Sequence, residues 1–361
     1  MRLQNVIYLN GLNGLRAIAA MSVVIAHVTM PGISNFGVPY RIELPMAGNG
    51  VTLFFVISGF LITFLLLKEK EKNISIPKFY FRRILRIWPI YYLFIIVCIC
   101  MSFFVKETNF FEMKKIWWYI FFAANVPFVL KEGILIIAHY WSIGVEEQFY
   151  LFWPWLVKLS TKNLLLISIL LFIAIFSIKI IIWLIWGSGS IAYQAIMVTR
   201  FHCMMVGAIG SILFINSNRF FLKALSNKIT QLFAWSIFVL MGLGILKVPA
   251  PISAEAISFI SLVLIIGQIT IVNRIINLEL KVFNFIGKIS YGIYVVHPLI
   301  IYLSSPLFVS VDINLPLKYC LIYSWVIAVT LGISYICYTF YESWFLNLKQ
   351  KYAVIKSSVS R

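Results

Sequence analysis

Charge is what this sequence has least of. Asp, Glu, Lys and Arg make up 12% of its 361 residues, where a soluble domain carries about a quarter. That shortage excludes an ordinary water-soluble fold. Acids are scarcer still, 12 against 30 Lys+Arg, and so few carboxylates do not build a metal site; no metal is expected. The five cysteines (Cys98, Cys100, Cys203, Cys320, Cys337) all fall in apolar segments, without metal-ligand spacing or a disulfide framework. Long polar segments are missing too. The widest interval between apolar runs is 106–139, so no soluble domain fits between them. Arg16 interrupts the first apolar stretch and no small-residue cleavage site follows it, so a cleaved signal peptide is not expected. No internal repeat is detectable.

What is abundant is apolar sequence, 62% of the chain. Runs of about 20 residues, each long enough to cross a bilayer core about 30 Å thick, recur from end to end. The fold expected is an all-α, polytopic transmembrane bundle of about ten spans. They fall near 14–30, 48–67, 88–105, 140–157, 163–186, 198–216, 229–246, 252–272, 289–306 and 318–340. The net charge of +18 sits in short loops, which argues for topology and against nucleic acid as a partner. Basic clusters occupy 68–86, 158–162, 219–228, 274–288 and 349–361. With the amino terminus inside, all of them lie on the cytoplasmic side, and ten spans return the carboxyl terminus to that side. The interval 106–139 strains this scheme, with Lys106, Lys114, Lys115 and Lys131 on the outer side. Its apolar stretch 116–130 is read as an interfacial or re-entrant helix, since Trp117 and Trp118 suit a headgroup boundary. Residues 1–345 form the expected membrane domain and 346–361 a basic tail.

Ionisable side chains within a span cost roughly 2.5–3.5 kcal/mol each, so they are candidate functional groups. Arg16 and His27 lie eleven residues apart, three turns plus about 20°, on one face of a helix. The same spacing also suits an interface anchor and a hydrogen-bonded packing histidine. In 139–155, "HYWSIGVEEQFYLFWPW", His139 precedes Glu146 by two turns and can share its face if the helix is continuous. Two adjacent acids do not share a helix face, so at most one of Glu146 and Glu147 lines any given cavity while the other points elsewhere. A carboxylate beside an imidazole is how a general base is oriented; either acid could equally neutralise an arginine.

Arg82, Arg83 and Arg86 form a compact cationic patch if helical, and Pro89 follows as a kink. Topology would be served by lysine, whereas arginine adds a planar fork that matches phosphate. Tyr291, Tyr294 and His297 sit in a span kinked by Pro298, where a satisfied packing histidine is the plainer reading. Arg200 and His202 stand at the outer mouth of a span, and Gly207 and Gly210 follow for close helix packing. Lys179 is expected to snorkel outward, and Glu342 to pair with basic loop residues.

In order along the chain, "LNGLRAIAAMSVVIAHV", "GVTLFFVISGFLIT", "FYFRRILRIWPIYY", "HYWSIGVEEQFYLFWPW" and "IGKISYGIYVVHPL" resemble the bacterial membrane acyltransferase-3 family. That family includes O-acetyltransferases of surface polysaccharides. The resemblance implies transfer of an acyl group, usually acetyl from acetyl-CoA as co-substrate with no permanently bound cofactor, to a hydroxyl of a polysaccharide or its lipid-linked precursor, such as O-antigen. By the same resemblance His27 is catalytic, with Arg16, Glu146 and Glu147 assisting. Arg82, Arg83 and Arg86 hold the acyl donor, and Trp141 and Ser142 belong to the motif of the two acids. His139, Arg200, Tyr291 and His297 are expected to line the site. His202 departs from the pattern, which more often has an acid there. Some relatives carry an appended esterase-like domain, for which this chain has no room. The implied home is the bacterial cytoplasmic membrane. A transporter or flippase of lipid-linked saccharides is the rival class, but the repeats and paired broken helices of transporters are not seen.

Overall fold

The computed structural model describes residues 6–28, 30, 35–38, 44–73, 75–105, 111–271, 274–351 and 356–357. Lys106 and half of the basic tail, including Arg361, lie outside them. Helices fill the intervals where spans are expected. The first are α1 (Leu12–Val28), α2 (Met46–Lys70) and α3 (Ile76–Ser102). Two short helices follow, α4 (Ile116–Ile120) and α5 (Asn125–Val129), and then α6 (Trp141–Leu156) and α7 (Thr161–Trp186). Next come α8 (Ile191–Thr199) with α9 (Phe201–Ile215), α10 (Arg219–Leu225) with α11 (Lys228–Gly242), and α12 (Ala250–Thr270). The last are α13 (Lys281–Lys288) with α14 (Ser290–Ser304), α15 (Pro306–Val309), α16 (Leu315–Cys337) and α17 (Ser343–Lys351).

By length and hydropathy six helical stretches can cross a membrane, and eight if the bent pairs α10–α11 and α13–α14 each count as one span. α1 is a shorter apolar helix of 17 residues. α6 has 16 residues and stays below that length. The stretch 116–130 contains only the two five-residue helices α4 and α5, about 7.5 Å each, far too short to span. Trp117 and Phe121 there are largely exposed.

Burial ranks the helices. α2 is almost wholly buried at the centre and packs most extensively on α9 and α1. α7 and α16 present apolar surface outward, as lipid-facing helices do. The α2–α9 contact is a backbone approach: a Cβ at Gly59 would lie 2.1 Å from the Met204 carbonyl, and one at Gly207 2.1 Å from that of Val56. Two small residues facing each other let the helices close to that distance. The one extended pairing among the described residues is parallel, Val6–Ile7 (β1) with Lys356–Ser357 (β2). It brings these two short segments, one before α1 and one after α17, side by side.

Two charged residues differ from expectation. Lys179 does not snorkel: it is fully buried on α7 and paired with Glu255 of α12, whose carboxylate also lies 3.2 Å from His202 Nε2 on α9. An internal acid from another helix is a better partner than water some turns away. The same carboxylate supplies the negative charge beside His202 that the residue at 202 itself lacks. Glu342 is likewise buried, on a π-helical turn (Tyr338–Glu342) between α16 and α17, and interacts with Arg86 of α3 rather than with a loop.

Candidate active site

A cavity of about 100 Å³ opens between α1, α2, α3, α6 and α14. Its polar lining has two ends. Arg16, Arg83, Arg86 and Glu146 form one; Ser142 and Tyr294 form the other.

The cationic end is assembled from two helices. Arg16, on the second turn of α1, is buried and faces the cavity; its Nη1 has no partner among the described residues. Arg83 is buried over the Phe79 ring, at 5.8 Å, and its Nε is also unpartnered among the described residues. Orphaned buried donors are costly, at about 1–3 kcal/mol each and more when charged. Both arginines line one cavity with Arg86, and such a cluster of guanidinium groups suits anionic oxygens.

Arg82 does not join them. It is buried and paired with Glu69 at the carboxyl end of α2. Glu69 went unrecognised in the sequence because it lies 13 residues upstream, on another helix, in a stretch that reads as a cytoplasmic charge cluster. So the patch divides: Arg82 fastens α3 to α2, while Arg83 and Arg86 line the cavity.

α6 presents a stripe at i, i+4 and i+8, Ser142, Glu146 and Tyr150, all on the cavity. Tyr150 donates to Glu146 at 3.2 Å and is hydrogen-bonded to Ser58 of α2. Tyr150 and Ser58 were not singled out in the sequence; the α6 period alone would have found the tyrosine. Glu147 turns away: Trp88 Nε1 donates to it at 3.2 Å, and it does not line the cavity. Trp141 stacks at 5.2 Å on Phe128 and also stays outside the lining. Arg200 is remote as well, donating to Thr52 and, at 3.1 Å, to the Met197 carbonyl.

At the other end, Ser142 Oγ and Tyr294 Oη are 2.6 Å apart and lie 3.2 and 3.1 Å from the His139 carbonyl, so one hydroxyl donates to the other and the second donates to that carbonyl. Behind Tyr294 lies a cluster of three histidines. His27, at the end of α1, has Nδ1 2.8 Å from Nε2 of His297, with the rings stacked at 5.0 Å. His139 meets His297 edge-on at 5.2 Å and is 3.2 Å from the Val295 carbonyl through Nε2. His139 precedes α6 on a 3-10 turn (Leu135–Tyr140), not on a continuous helix with Glu146. The described contacts of His27 are therefore with an imidazole and not with either glutamate. Arg16 and His27 stand roughly 16 Å apart along α1 at 1.5 Å per residue, one at each end of the site. Tyr291 bridges the middle, donating to the Ile87 carbonyl at 3.0 Å. Among the described residues no three His, Cys, Asp or Glu side chains converge as metal ligands.

His27, His139 and His297 stand behind Tyr294 and do not themselves line the cavity. A polytopic helical membrane protein with buried arginines at one end of a cavity and histidines packed behind the other is a particular class of molecule. Comparison with known proteins names it. Residues 9–339 match the family described as an acyltransferase domain, and the chain belongs to this acyltransferase-3 family. It is 28% identical over 328 residues to the O-acetyltransferase OatA of Staphylococcus aureus (strain NCTC 8325 / PS 47), covering 82% of this chain and 51% of that protein. OatA of Staphylococcus aureus (strain COL) matches to the same extent. The chain thus spans about half the length of the curated relatives it matches. No solved structure matches significantly.

Proposed function

We propose that this protein is an O-acetyltransferase of the bacterial cytoplasmic membrane. It moves an acetyl group from acetyl-CoA to a hydroxyl of a cell-surface polysaccharide or its lipid-linked precursor. The observation that carries this reading is the cavity that joins Arg16, Arg83 and Arg86 to the serine–tyrosine pair in front of the histidines.

In this reading the coenzyme phosphates enter from the cytoplasmic side, where the basic clusters lie, and take the orphaned donors of Arg16 and Arg83 together with Arg86. Arg82 contributes by holding α3 in register. The pantetheine arm lies along α1 past Glu146 and Tyr291, which brings the thioester towards His27. His27 accepts the proton of the acceptor hydroxyl as its oxygen attacks the carbonyl carbon. The new C–O ester bond forms, the C–S bond breaks, and the proton passes to the departing thiolate. Ser142 and Tyr294 line the cavity on that path, their hydroxyls bonded to each other and to the His139 carbonyl. Glu147, Trp141 and Arg200 act as packing and fastening groups.

The test compares two donors in inside-out membrane vesicles, with vesicles lacking the protein subtracted. Acetyl-CoA and S-acetylpantetheine carry the same thioester, but only the first carries the nucleotide phosphates. Thiol release with a KM at least tenfold lower for acetyl-CoA is the expected result. Equal use of the two donors would refute a phosphate-binding role for the arginines. No protein-dependent thiol release from either would refute acyl transfer itself.

A further inference from the structure

His297 is legible in the sequence only as a histidine beside a helix proline, and its surroundings give it a definite chemical state. It is fully buried on α14. Its Nδ1 is 3.1 Å from the Ile293 carbonyl, and its Nε2 is 2.8 Å from His27 Nδ1. A carbonyl oxygen only accepts, so the Ile293 contact requires a proton on His297 Nδ1. In the neutral ring Nε2 then carries the lone pair and accepts, which requires His27 to donate from Nδ1. The one remaining nitrogen of His27, Nε2, is left with the lone pair. Two hydrogen bonds thus fix which nitrogen of His27 is the base.

From this chain of donors we infer that His297 is a positioning residue: it holds His27 in the Nδ1–H tautomer so that Nε2 takes the acceptor's proton. The inference rests on the acetyl-transfer reading above. His297 does for His27 what a carboxylate does for the histidine of a Ser-His-Asp triad, but as a neutral acceptor that adds no charge to the membrane interior. His139 completes the arrangement from the side. Its ring lies edge-on at 5.2 Å from His297, and its Nε2 is tied at 3.2 Å to the Val295 carbonyl on the same helix. Neither Glu146 nor Glu147 is needed for this task. Glu146 is engaged with Tyr150 and Glu147 with Trp88.

The experiment uses two amide substitutions that differ in reach. In His297→Gln the amide oxygen extends to the position of Nε2 and can still accept from His27. In His297→Asn it stops near Nδ1, beside the Ile293 carbonyl, and His27 loses its partner. His297→Leu, which fills the space without an acceptor, is a third arm should the asparagine protein fail to insert. Thiol release from acetyl-CoA is followed in inside-out vesicles with protein content equalised by blotting. His297→Gln is expected within about threefold of the parent. Asn and Leu are expected to lower kcat roughly 10- to 100-fold, a part of the ~10²–10⁴ a positioned base supplies. KM for acetyl-CoA should stay within twofold in all three. Equal losses in Gln and Asn would assign His297 to packing and overturn the inference, as would full activity in Asn or Leu. His27→Ala in parallel separates the two levels. If it is inactive while His297→Asn is fully active, only the positioning role falls. If it keeps full activity, the acetyl-transfer mechanism falls with it.

Discussion

Substituting the three arginines of α3 one at a time by lysine divides a cluster that looks uniform in the sequence. Arg83 and Arg86 line the cavity, whereas Arg82 is paired with Glu69. Lysine keeps the positive charge, so insertion is preserved, but it loses the planar fork that grips phosphate oxygens. A hydrogen bond to a charged group contributes about 1.5–3 kcal/mol. If lysine keeps about half of that, each cavity arginine loses ~0.75–1.5 kcal/mol of donor binding, or ~4–13-fold in KM. Arg83→Lys with Arg86→Lys together should raise KM for acetyl-CoA by ~12–160-fold if the sites are independent, with kcat little changed, because the contact is made equally in the ground and transition states. Arg82→Lys should leave KM within twofold and appear as reduced thermal stability of the detergent-solubilised protein. The assay is thiol release over a range of acetyl-CoA concentrations. If Arg82→Lys raises KM as much as the other two, or if the double variant keeps the parent KM, the division of the cluster is wrong.

His27→Ala should abolish thiol release and acetyl incorporation at unchanged expression and insertion, since alanine is tolerated in a span; near-parental activity would reduce His27 to a packing group. Lys179→Met strands a buried carboxylate and should cost about 3–5 kcal/mol, while Lys179→Met with Glu255→Leu should recover most of it, because a well-packed apolar pair replaces a buried ion pair at little cost; thermal melting in detergent reads both. Gly207→Val drives side-chain atoms into the Val56 carbonyl across the α2–α9 contact and should cost at least 1–3 kcal/mol by overpacking, seen as lost monodisperse protein on size-exclusion chromatography.

The all-helical membrane fold was readable because the signals behind it are long and additive. Apolar runs, scarce acids and charge confined to loops point to one architecture, and helices occupy each of the ten expected intervals. Gly207 announced a close helix contact by its small size, and its partner Gly59 lies in the matching stretch of α2. Lys179 was misread for a physical reason. Snorkelling is the default for a lone lysine in a span, and only tertiary packing brings Glu255, 76 residues away, within reach. The interval 116–130 was too apolar for a loop and too short for a span, and breaking it into α4 and α5 resolves that conflict.

The candidate site divides along the same line between local and long-range information. On a helix at 100° per residue, Arg86 lies 40° from Arg82 and 60° from Arg83, so periodicity alone does not say which neighbour shares its face. Glu69 decides it, by drawing Arg82 to α2. Glu146 and Glu147 pose the same question, and there period does give the answer once Ser142 and Tyr150 are read with Glu146 as one i, i+4, i+8 stripe. His27 and His297 are separated by 270 residues and belong to helices that no local pattern pairs. Expecting Glu146 or Glu147 beside His27, to assist it, came from the family resemblance and not from any local pattern. The fold puts a neutral imidazole there instead, and a neutral partner orients a base without burying another charge in a membrane. Glu146 instead shares the cavity with Arg16, Arg83 and Arg86, where its carboxylate offsets part of their positive charge. On the acetyl-transfer reading proposed above, a donor phosphate in that cavity meets three guanidinium groups offset by one carboxylate, and binding stays reversible enough for the spent coenzyme to leave.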